Sequence, residues 1–123
     1  MVFLEAPAFA RHVFEYLGED QYHLLQIELT NNPEVGAVMP DTGGFRKCRW
    51  ADPRRGKGRR GGLRIIYYYF LSDSQILLAM IYDKNEAVDL TPKEKNTLQT
   101  AIETELKARQ AKKARGRTLG SKQ

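Results

Sequence analysis

Residues 45–70 read FRKCRWADPRRGKGRRGGLRIIYYYF, and they contain the clearest strand signal of the chain. Leu63 to Leu71 is rich in β-branched and aromatic residues, which predicts the central strand of a sheet. Phe45 to Trp50 predicts a second strand, and the glycine- and arginine-rich residues 51–62 predict a loop or hairpin connection. A basic loop that runs straight into a strand holds cationic side chains at the end of a rigid sheet, which suits the binding of a polyanion.

The alternation of side chains along these strands assigns their residues to two faces. In the first strand, one face is predicted to carry Phe45, Lys47 and Arg49, and the other Arg46, Cys48 and Trp50. In the second strand, Tyr68 is predicted to point away from the face shared by Tyr67 and Tyr69. Rings that meet the helices are expected in the core, whereas a ring beside Arg64 on the open face can stack on a base.

The charge is distributed unevenly along the 123 residues. Of the 20 basic residues, seven lie between Lys107 and Gln123, where there are no acids. Residues 1–106 therefore hold 13 basic and 15 acidic residues, a net charge of −2, and nine of those 13 lie between Arg46 and Arg64. One basic surface on a mildly acidic domain, together with a separate basic tail, points to a polyanionic partner.

The composition also argues against several classes of protein. The length suffices for one compact domain, and no apolar stretch is long enough to span a membrane. The N-terminal residues lack the basic segment of a signal peptide. Cys48 is the only cysteine, so it forms no intrachain disulfide and anchors no cysteine metal cluster. We therefore expect a cytoplasmic protein with no membrane partner.

The remaining segments predict two further strands and three helices. Apolar residues at helical spacing mark Ala8 to Leu17 and Gln21 to Asn31. Met1 to Glu5 predicts a strand, and Gln75 to Tyr82 predicts a strand that forms an antiparallel hairpin with the tyrosine-rich one.

Residues 89–94, DLTPKE, predict the start of a helix, in which Thr91 is the N-cap and Glu94 completes a capping box. An apolar stripe continues to Leu106, and residues 107–123 predict a basic tail that begins as a helix end and then becomes disordered. The predicted domain covers residues 1–106 in the order β-α-α-β-β-β-α. This is an α+β fold with a small antiparallel-rich sheet, two N-terminal helices on one face and a C-terminal helix.

Four motifs along the chain are TGGFRK (residues 42–47), KGRRGGLRIIYYY (57–69), IYDKNE (81–86) and DLTPKE (89–94). Together, at this spacing, they resemble the HigB-type toxins of the RelE/ParE toxin–antitoxin superfamily. The resemblance extends over residues 1 to about 106 and implies a RelE-like fold.

The resemblance also implies a function. Toxins of this kind cleave mRNA on the ribosome and thereby inhibit translation, and a cognate antitoxin neutralises them. The expected partners are therefore the ribosome, mRNA and an antitoxin of the HigA kind. Such antitoxins usually carry a helix-turn-helix domain, so contact with operator DNA is expected only through the antitoxin.

An RNase that uses the 2′-OH as nucleophile must remove its proton, stabilise the extra charge on the phosphate and protonate the 5′-oxygen. His12 and His23 both fall in the predicted N-terminal helices, far in sequence from the basic segment, and are expected to be surface or packing residues. No His, Cys or carboxylate spacing is typical of a metal site. The sequence therefore predicts chemistry without metal or cofactor, carried by Lys, Arg and Tyr.

Four residues are predicted to take part in that chemistry. Arg64 begins the central strand after two glycines and is predicted to bind the transferring phosphate, and the family's strand arginine falls at this position. The resemblance places the family's basic loop at Lys57, which acts near the 2′-OH or binds ribosomal RNA, and a cation that assists the leaving group near Lys84. Thr91 falls where RelE carries its C-terminal catalytic tyrosine. The general base therefore stays open, with Tyr82 as an alternative.

A second group of side chains is predicted to bind RNA. Arg54 and Arg55 are expected to contact its backbone or to be solvated charges. The full predicted set is Arg46, Lys47, Arg49, Arg54, Arg55, Arg59, Arg60 and Tyr68.

Two other functions stay open on the sequence alone. The first is a non-catalytic RNA- or ribosome-binding module on the same scaffold, because neither a histidine nor the RelE-type tyrosine is in place. The second is a ParE-like toxin that acts on gyrase, against which the richness of the basic loop argues weakly.

Overall fold

The structure is a computed structural model that describes residues 1–54, 62–86 and 90–121, with side chains described up to residue 116. Its strands are β1 (Val2–Glu5), β2 (Ala37–Val38), β3 (Arg46–Trp50), β4 (Leu63–Phe70) and β5 (Gln75–Asp83). Its helices are α1 (Pro7–Tyr16), α2 (Glu19–Asn31) and α3 (Pro92–Ser121). The chain forms two compact units, Met1–Met39 with Gly44–Asp89, and Pro40–Gly43 with Leu90–Gln123.

The first unit contains a five-stranded sheet in the order β1-β5-β4-β3-β2. β1 runs parallel to β5, and the other three pairs are antiparallel. The predicted hairpin of β4 and β5 is confirmed, with a 3₁₀ turn at Leu71–Asp73 between its strands. The α+β class and the antiparallel-rich sheet are confirmed as well. The sequence did not predict β2, because a strand of two residues carries no detectable periodicity.

The central strand β4 fixes which side chains of its neighbours share a face. Cys48 pairs with Ile65, and Ile65 pairs with Ile81 across the next strand. The register shifts by one residue in β5 between Met80 and Leu78. This bulge lets Ile81 and Leu78 join the same core although they lie three residues apart.

The two N-terminal helices cover one face of the sheet, as predicted. Their buried side chains form one cluster with the sheet and are Phe9, Val13, Leu17, Tyr22, Leu25 and Leu29. Tyr67 is fully buried in this cluster, and Tyr69 packs partly buried against it. Trp50 is buried on the same face. The alternation predicted for β3 and β4 is therefore confirmed.

The capping box predicted for the last helix is present in the second unit. The Glu94 backbone N–H donates to Thr91 Oγ1 (3.1 Å), and the Thr91 backbone N–H donates to Glu94 Oε1 (3.0 Å). Gly43 lies against this helix with φ +78°, and a Cβ there would meet Ile102 Cγ2 at 2.8 Å. The turn before β3 therefore requires glycine at position 43 for its conformation and for space.

The helix end predicted beyond Leu106 is part of α3, which spans 30 residues and continues to Ser121. Alanines at positions 108, 111 and 114 are strong helix formers, and Arg109 Nε pairs with Glu105 Oε1 at 2.8 Å one turn earlier. These local terms outweigh the cost of Gly116, about 1 kcal/mol. Despite the length of α3, no helix in the described part of the chain is apolar enough to cross a membrane.

The Tyr67 hydroxyl ties the segment after α2 to the sheet. It donates a hydrogen bond to the Pro33 carbonyl (2.7 Å) and accepts one from the Gly36 backbone N–H (2.9 Å). We expect Tyr67→Phe to lower the free energy of unfolding by about 1–3 kcal/mol, because both backbone groups lose a buried partner. Chemical denaturation measures the loss.

Tyr69→Phe is the matched control, because among the described residues the Tyr69 hydroxyl has no hydrogen-bond partner. Equal stabilities of the two variants would contradict the structural role of Tyr67. Burial raises the pKa of Tyr67. Its contribution is therefore complete at neutral pH and is lost as the pH rises above about 10.

Candidate functional site

Three polar side chains stand in one row on the sheet face opposite α1 and α2. Arg49 of β3 pairs with Arg64 of β4, and Arg64 pairs with Tyr82 of β5. We call these three residues the arginine row. Directly opposed residues of antiparallel strands have Cβ atoms about 4.5–5.5 Å apart, so neighbouring side chains in the row can act on one bound group. Arg49 is exposed, and Arg64 and Tyr82 are partly exposed.

The two arginines carry like charges at a position where like charges repel. Within the described part of the chain, neither arginine forms an ion pair with a carboxylate. The nearest acceptors of Arg64 Nη1 are the carbonyls of Leu63 (3.3 Å) and Gly62 (3.4 Å), both beyond the usual length of a strong hydrogen bond. A phosphate placed between the two guanidinium groups would relieve the repulsion and accept several charge-assisted hydrogen bonds.

Two further predicted residues flank the arginine row. Lys47 lies on the same face of β3, in the next row, where it pairs with Ile66. Lys84 lies in the exposed turn directly after β5, at the end of the sheet where β4 begins. The structure therefore brings together five residues that the sequence separates by up to 37 positions, Lys47, Arg49, Arg64, Tyr82 and Lys84.

The glycine before β4 has a structural reason. A Cβ on Gly62 would lie 2.0 Å from the Trp50 carbonyl oxygen, closer than any real contact allows. Glycine therefore permits the start of β4 to approach the end of β3, and Arg64 follows two residues later.

Arg46 is on the other face of β3, as the alternation predicted, and its guanidinium is used within the protein. Its Nη1 donates to the carbonyls of Gly36 (2.8 Å) and Glu34 (3.2 Å). These bonds tie β3 to the segment before β2. The guanidinium predicted to bind RNA thus has partners within the protein, and its binding to RNA stays a prediction.

Arg54 is not the solvated or backbone-binding charge that the sequence predicted. It forms a bidentate pair with Asp52, with Nε to Oδ1 at 3.1 Å and Nη2 to Oδ2 at 3.0 Å. Its Nη2 also lies 3.5 Å from Asp83 Oδ2. Asp52 and Asp83 are both fully buried, so Arg54 compensates two carboxylates that have left water.

The same arginine contacts α1 and the turn after β5. Its guanidinium lies 4.6 Å from the centre of the Tyr16 ring, and the Tyr16 hydroxyl donates to Glu86 Oε2 at 3.1 Å. Burial, then the bond to Glu86, raises the pKa of Tyr16. The hydrogen bonds that Arg54 donates to the Asp52 carboxylate raise the pKa of Arg54. We call Tyr16, Asp52, Arg54, Asp83 and Glu86 the Arg54 network.

One local signal for the Arg54 network was present in the sequence. Asp52-Pro53-Arg54 forms an Asx turn in which the Arg54 backbone N–H donates to Asp52 Oδ1 at 3.0 Å. Aspartate before proline is typical of such turns. The turn places Arg54 beside Asp52, but the contacts with Asp83 and Glu86 depend on the pairing of distant strands.

Tyr68 is on the same face as the arginine row but not beside it. It lies four residues along β4 from Arg64 and packs against Phe45 (5.4 Å between ring centres) and Phe70 (4.8 Å). The ring next to Arg64 is that of Tyr82. The predicted loop residues Arg55, Lys57, Arg59 and Arg60 lie outside the described residues.

The histidines lie away from the arginine row. His12 and His23 are exposed on α1 and α2, and His12 Nδ1 is 2.9 Å from Glu15 Oε2. In the described ranges, no group of three or more His, Cys, Asp or Glu side chains is placed to hold a metal ion. Among the described residues in and beside the arginine row, Lys47, Tyr82 and Lys84 carry groups that can exchange a proton.

No protein-family model matches this chain. The four motifs and the geometry of the arginine row remain the features of the chain that indicate a function.

A charge reversal tests the arginine row without an assay of function. We expect Arg49→Glu to raise the free energy of unfolding by about 1 kcal/mol, because a repulsive cross-strand pair becomes an attractive one. Added salt should then stabilise the native protein but not the variant. Arg11→Glu, at an exposed position of α1, makes the same change of net charge. A variant at position 49 that is no more stable than the one at position 11 would contradict the proposed repulsion.

Substitution of an arginine in the Arg54 network should have the opposite effect on the free energy of unfolding. We expect Arg54→Ala to lower the free energy of unfolding by roughly 2 kcal/mol, because Asp52 and Asp83 lose their charged partner. Thermal unfolding of this variant and of Arg11→Ala provides the comparison. If both substitutions cost equally little, the network does not stabilise the fold.

Proposed function

We propose that this protein is a HigB-type toxin of the RelE/ParE superfamily, a ribosome-dependent endoribonuclease that cleaves mRNA and inhibits translation. The observation that carries the proposal is the arginine row, in which two guanidinium groups oppose each other without a carboxylate partner in the described part of the chain. The four motifs and the α+β fold with its antiparallel-rich sheet support the same family.

The arginine row suits the charge that develops during cleavage. When the 2′-oxygen attacks the adjacent phosphorus, the phosphoryl group gains a second negative charge in the transition state. Arg49 and Arg64 can each direct two N–H groups at its non-bridging oxygens. Because the attraction of both cations to the phosphate grows with its negative charge, the interaction is stronger in the transition state than in the ground state.

Tyr82 and Lys84 supply the proton transfers in this proposal. Tyr82 is next to Arg64 in the row and, in its phenolate form, takes the proton of the 2′-OH to become a neutral hydroxyl. Lys84, in the exposed turn beyond β5, protonates the departing 5′-oxygen. The O2′–P bond forms while the P–O5′ bond breaks, which leaves a 2′,3′-cyclic phosphate and a 5′-hydroxyl. Exchange with solvent water then removes the proton from Tyr82 and returns one to Lys84, which restores both groups for the next reaction.

The proposed partners follow from the family. They are the ribosome and its mRNA, and a HigA-type helix-turn-helix antitoxin through which operator DNA is contacted. A reading frame beside the gene that encodes a small helix-turn-helix protein would support this assignment.

Substitution of Arg64 tests the proposed reaction. We expect Arg64→Ala to abolish growth arrest on expression and to lower the rate of mRNA cleavage at least 100-fold, because one preorganised charge donor at the phosphate is lost. Arg64→Lys should recover only part of the rate, since a lysine lacks the planar fork. Primer extension on a translated mRNA measures the cleavage, and Arg11→Ala is the control.

The denaturation midpoint of Arg64→Ala must equal or exceed that of the native protein, so that a loss of cleavage is not caused by unfolding. A folded Arg64→Ala protein that cleaves at the native rate would exclude the proposed role of the arginine row.

A second candidate function should be tested in the same assay. His12 and His23 lie on helices that cover the other face of the sheet, so neither histidine is placed at the arginine row for acid–base catalysis. This second candidate is an RNA-binding module that does not cleave. Tyr82→Phe separates the two. In the nuclease, removal of the hydroxyl lowers the cleavage rate while RNA binding is retained. In the binding module, primer extension detects no cut even with the native protein.

A further inference from the structure

The distal part of α3 is a cationic helix without an apolar face. We call residues 107–116 the basic arm, and its cations are Lys107, Arg109, Lys112, Lys113 and Arg115. Every residue of the arm is exposed except Arg109, which is half-buried. The last fully buried residue of α3 before it is Ile102. At 1.5 Å per residue, the arm is about 15 Å long.

Three of the cations share one side of the arm. With about 100° between successive residues of a helix, Lys107, Arg115 and Lys112 lie within roughly 140° of one another. Ala108 and Ala111 lie between them on that side, and their small side chains allow another surface to approach closely. Arg109 lies outside this side, about 60° beyond Lys112, and pairs with Glu105. The side formed by Lys107, Lys112 and Arg115 is the cationic face of the arm.

We propose that this cationic face binds the phosphate backbone of double-helical RNA. The proposal rests on the proposed function for the source of that RNA, which is the ribosome. The surface itself is argued from the chemistry of the arm.

Two alternatives fit the arm less well. A protein partner needs large anchors such as Trp, Tyr or Leu at the centre of the contact, and residues 107–116 contain none. Single-stranded RNA is held mainly by stacking of its bases on aromatic rings, and residues 107–123 contain no aromatic residue. A duplex needs only cations in register with its phosphates, and its charge density is the higher of the two forms of nucleic acid.

The salt dependence of binding provides a quantitative test. Each phosphate neutralised by a Lys or Arg releases counterions, which contributes about 0.9 to the slope of log K against log salt for a duplex and about 0.7 for a single strand. The full-length protein is titrated against a short RNA hairpin with a fully paired stem, and binding is followed by fluorescence anisotropy over a range of salt concentrations.

Two triple variants carry the comparison. The arm variant combines Lys107→Gln, Lys112→Gln and Arg115→Gln. The control variant combines Arg11→Gln, Lys93→Gln and Lys95→Gln, which removes the same net charge outside the arm. We expect the arm variant to lose about two to three from the magnitude of the slope, whereas the control should change it by less than one. Circular dichroism verifies that both remain helical, since glutamine is a good helix former.

Equal slopes for the two triple variants would overturn the proposal. A larger loss of binding to a single-stranded RNA of the same length, or to polyglutamate, would overturn it in favour of a single strand or an acidic protein. Failure of the proposed function is separable, because Arg64→Ala should leave the contribution of the arm to duplex binding unchanged. If the native protein cleaves mRNA but the arm variant keeps the native salt slope of duplex binding, the proposed role of the arm is wrong while the proposed function stands.

Discussion

The pairing of β4 on both of its edges is the constraint on which the site depends. Ile65 and Tyr67 are fully buried under the N-terminal helices, and this fixes the face of every other residue in the strand. A slip of one residue would move Arg64 into that core and expose its neighbours. The cost of burying an unpaired guanidinium makes such a slip unfavourable, so the apolar residues of β4 decide where Arg64 points.

One end of the sheet places arginine in two different electrostatic environments. On the helix-covered face, Arg54 compensates the buried carboxylates of Asp52 and Asp83 and is held by them. On the opposite face, Arg49 and Arg64 oppose each other and form no ion pair within the described residues. The first arrangement stabilises the fold, and the second stores repulsion that an anion can relieve. The positions of the carboxylates, rather than the number of arginines, therefore separate a structural cation from a candidate ligand of phosphate.

Sequence patterns sufficed wherever the cause is local. The tyrosine-rich composition predicts β4, the spacing of Thr91 and Glu94 predicts the start of α3, and alternation predicts the faces of Arg49 and Tyr68. Contacts between distant residues could not be predicted in this way. Arg54 meets Asp83 across 29 positions, and the register that sets Arg49 beside Arg64 becomes visible only once β3 and β4 are paired. The extent of α3 was missed for another reason, since helix propensity continued after its apolar stripe had ended.

The arginine row and the basic arm would contribute to different steps of an RNA reaction. A cationic face that holds duplex phosphates interacts equally with the ground state and the transition state, so it strengthens binding without lowering the barrier after binding. The arginine row interacts more strongly as the charge on one phosphate grows, so it acts on the barrier itself. A chain with both elements can tune its affinity for RNA through the arm while the sheet register keeps the reacting groups unchanged.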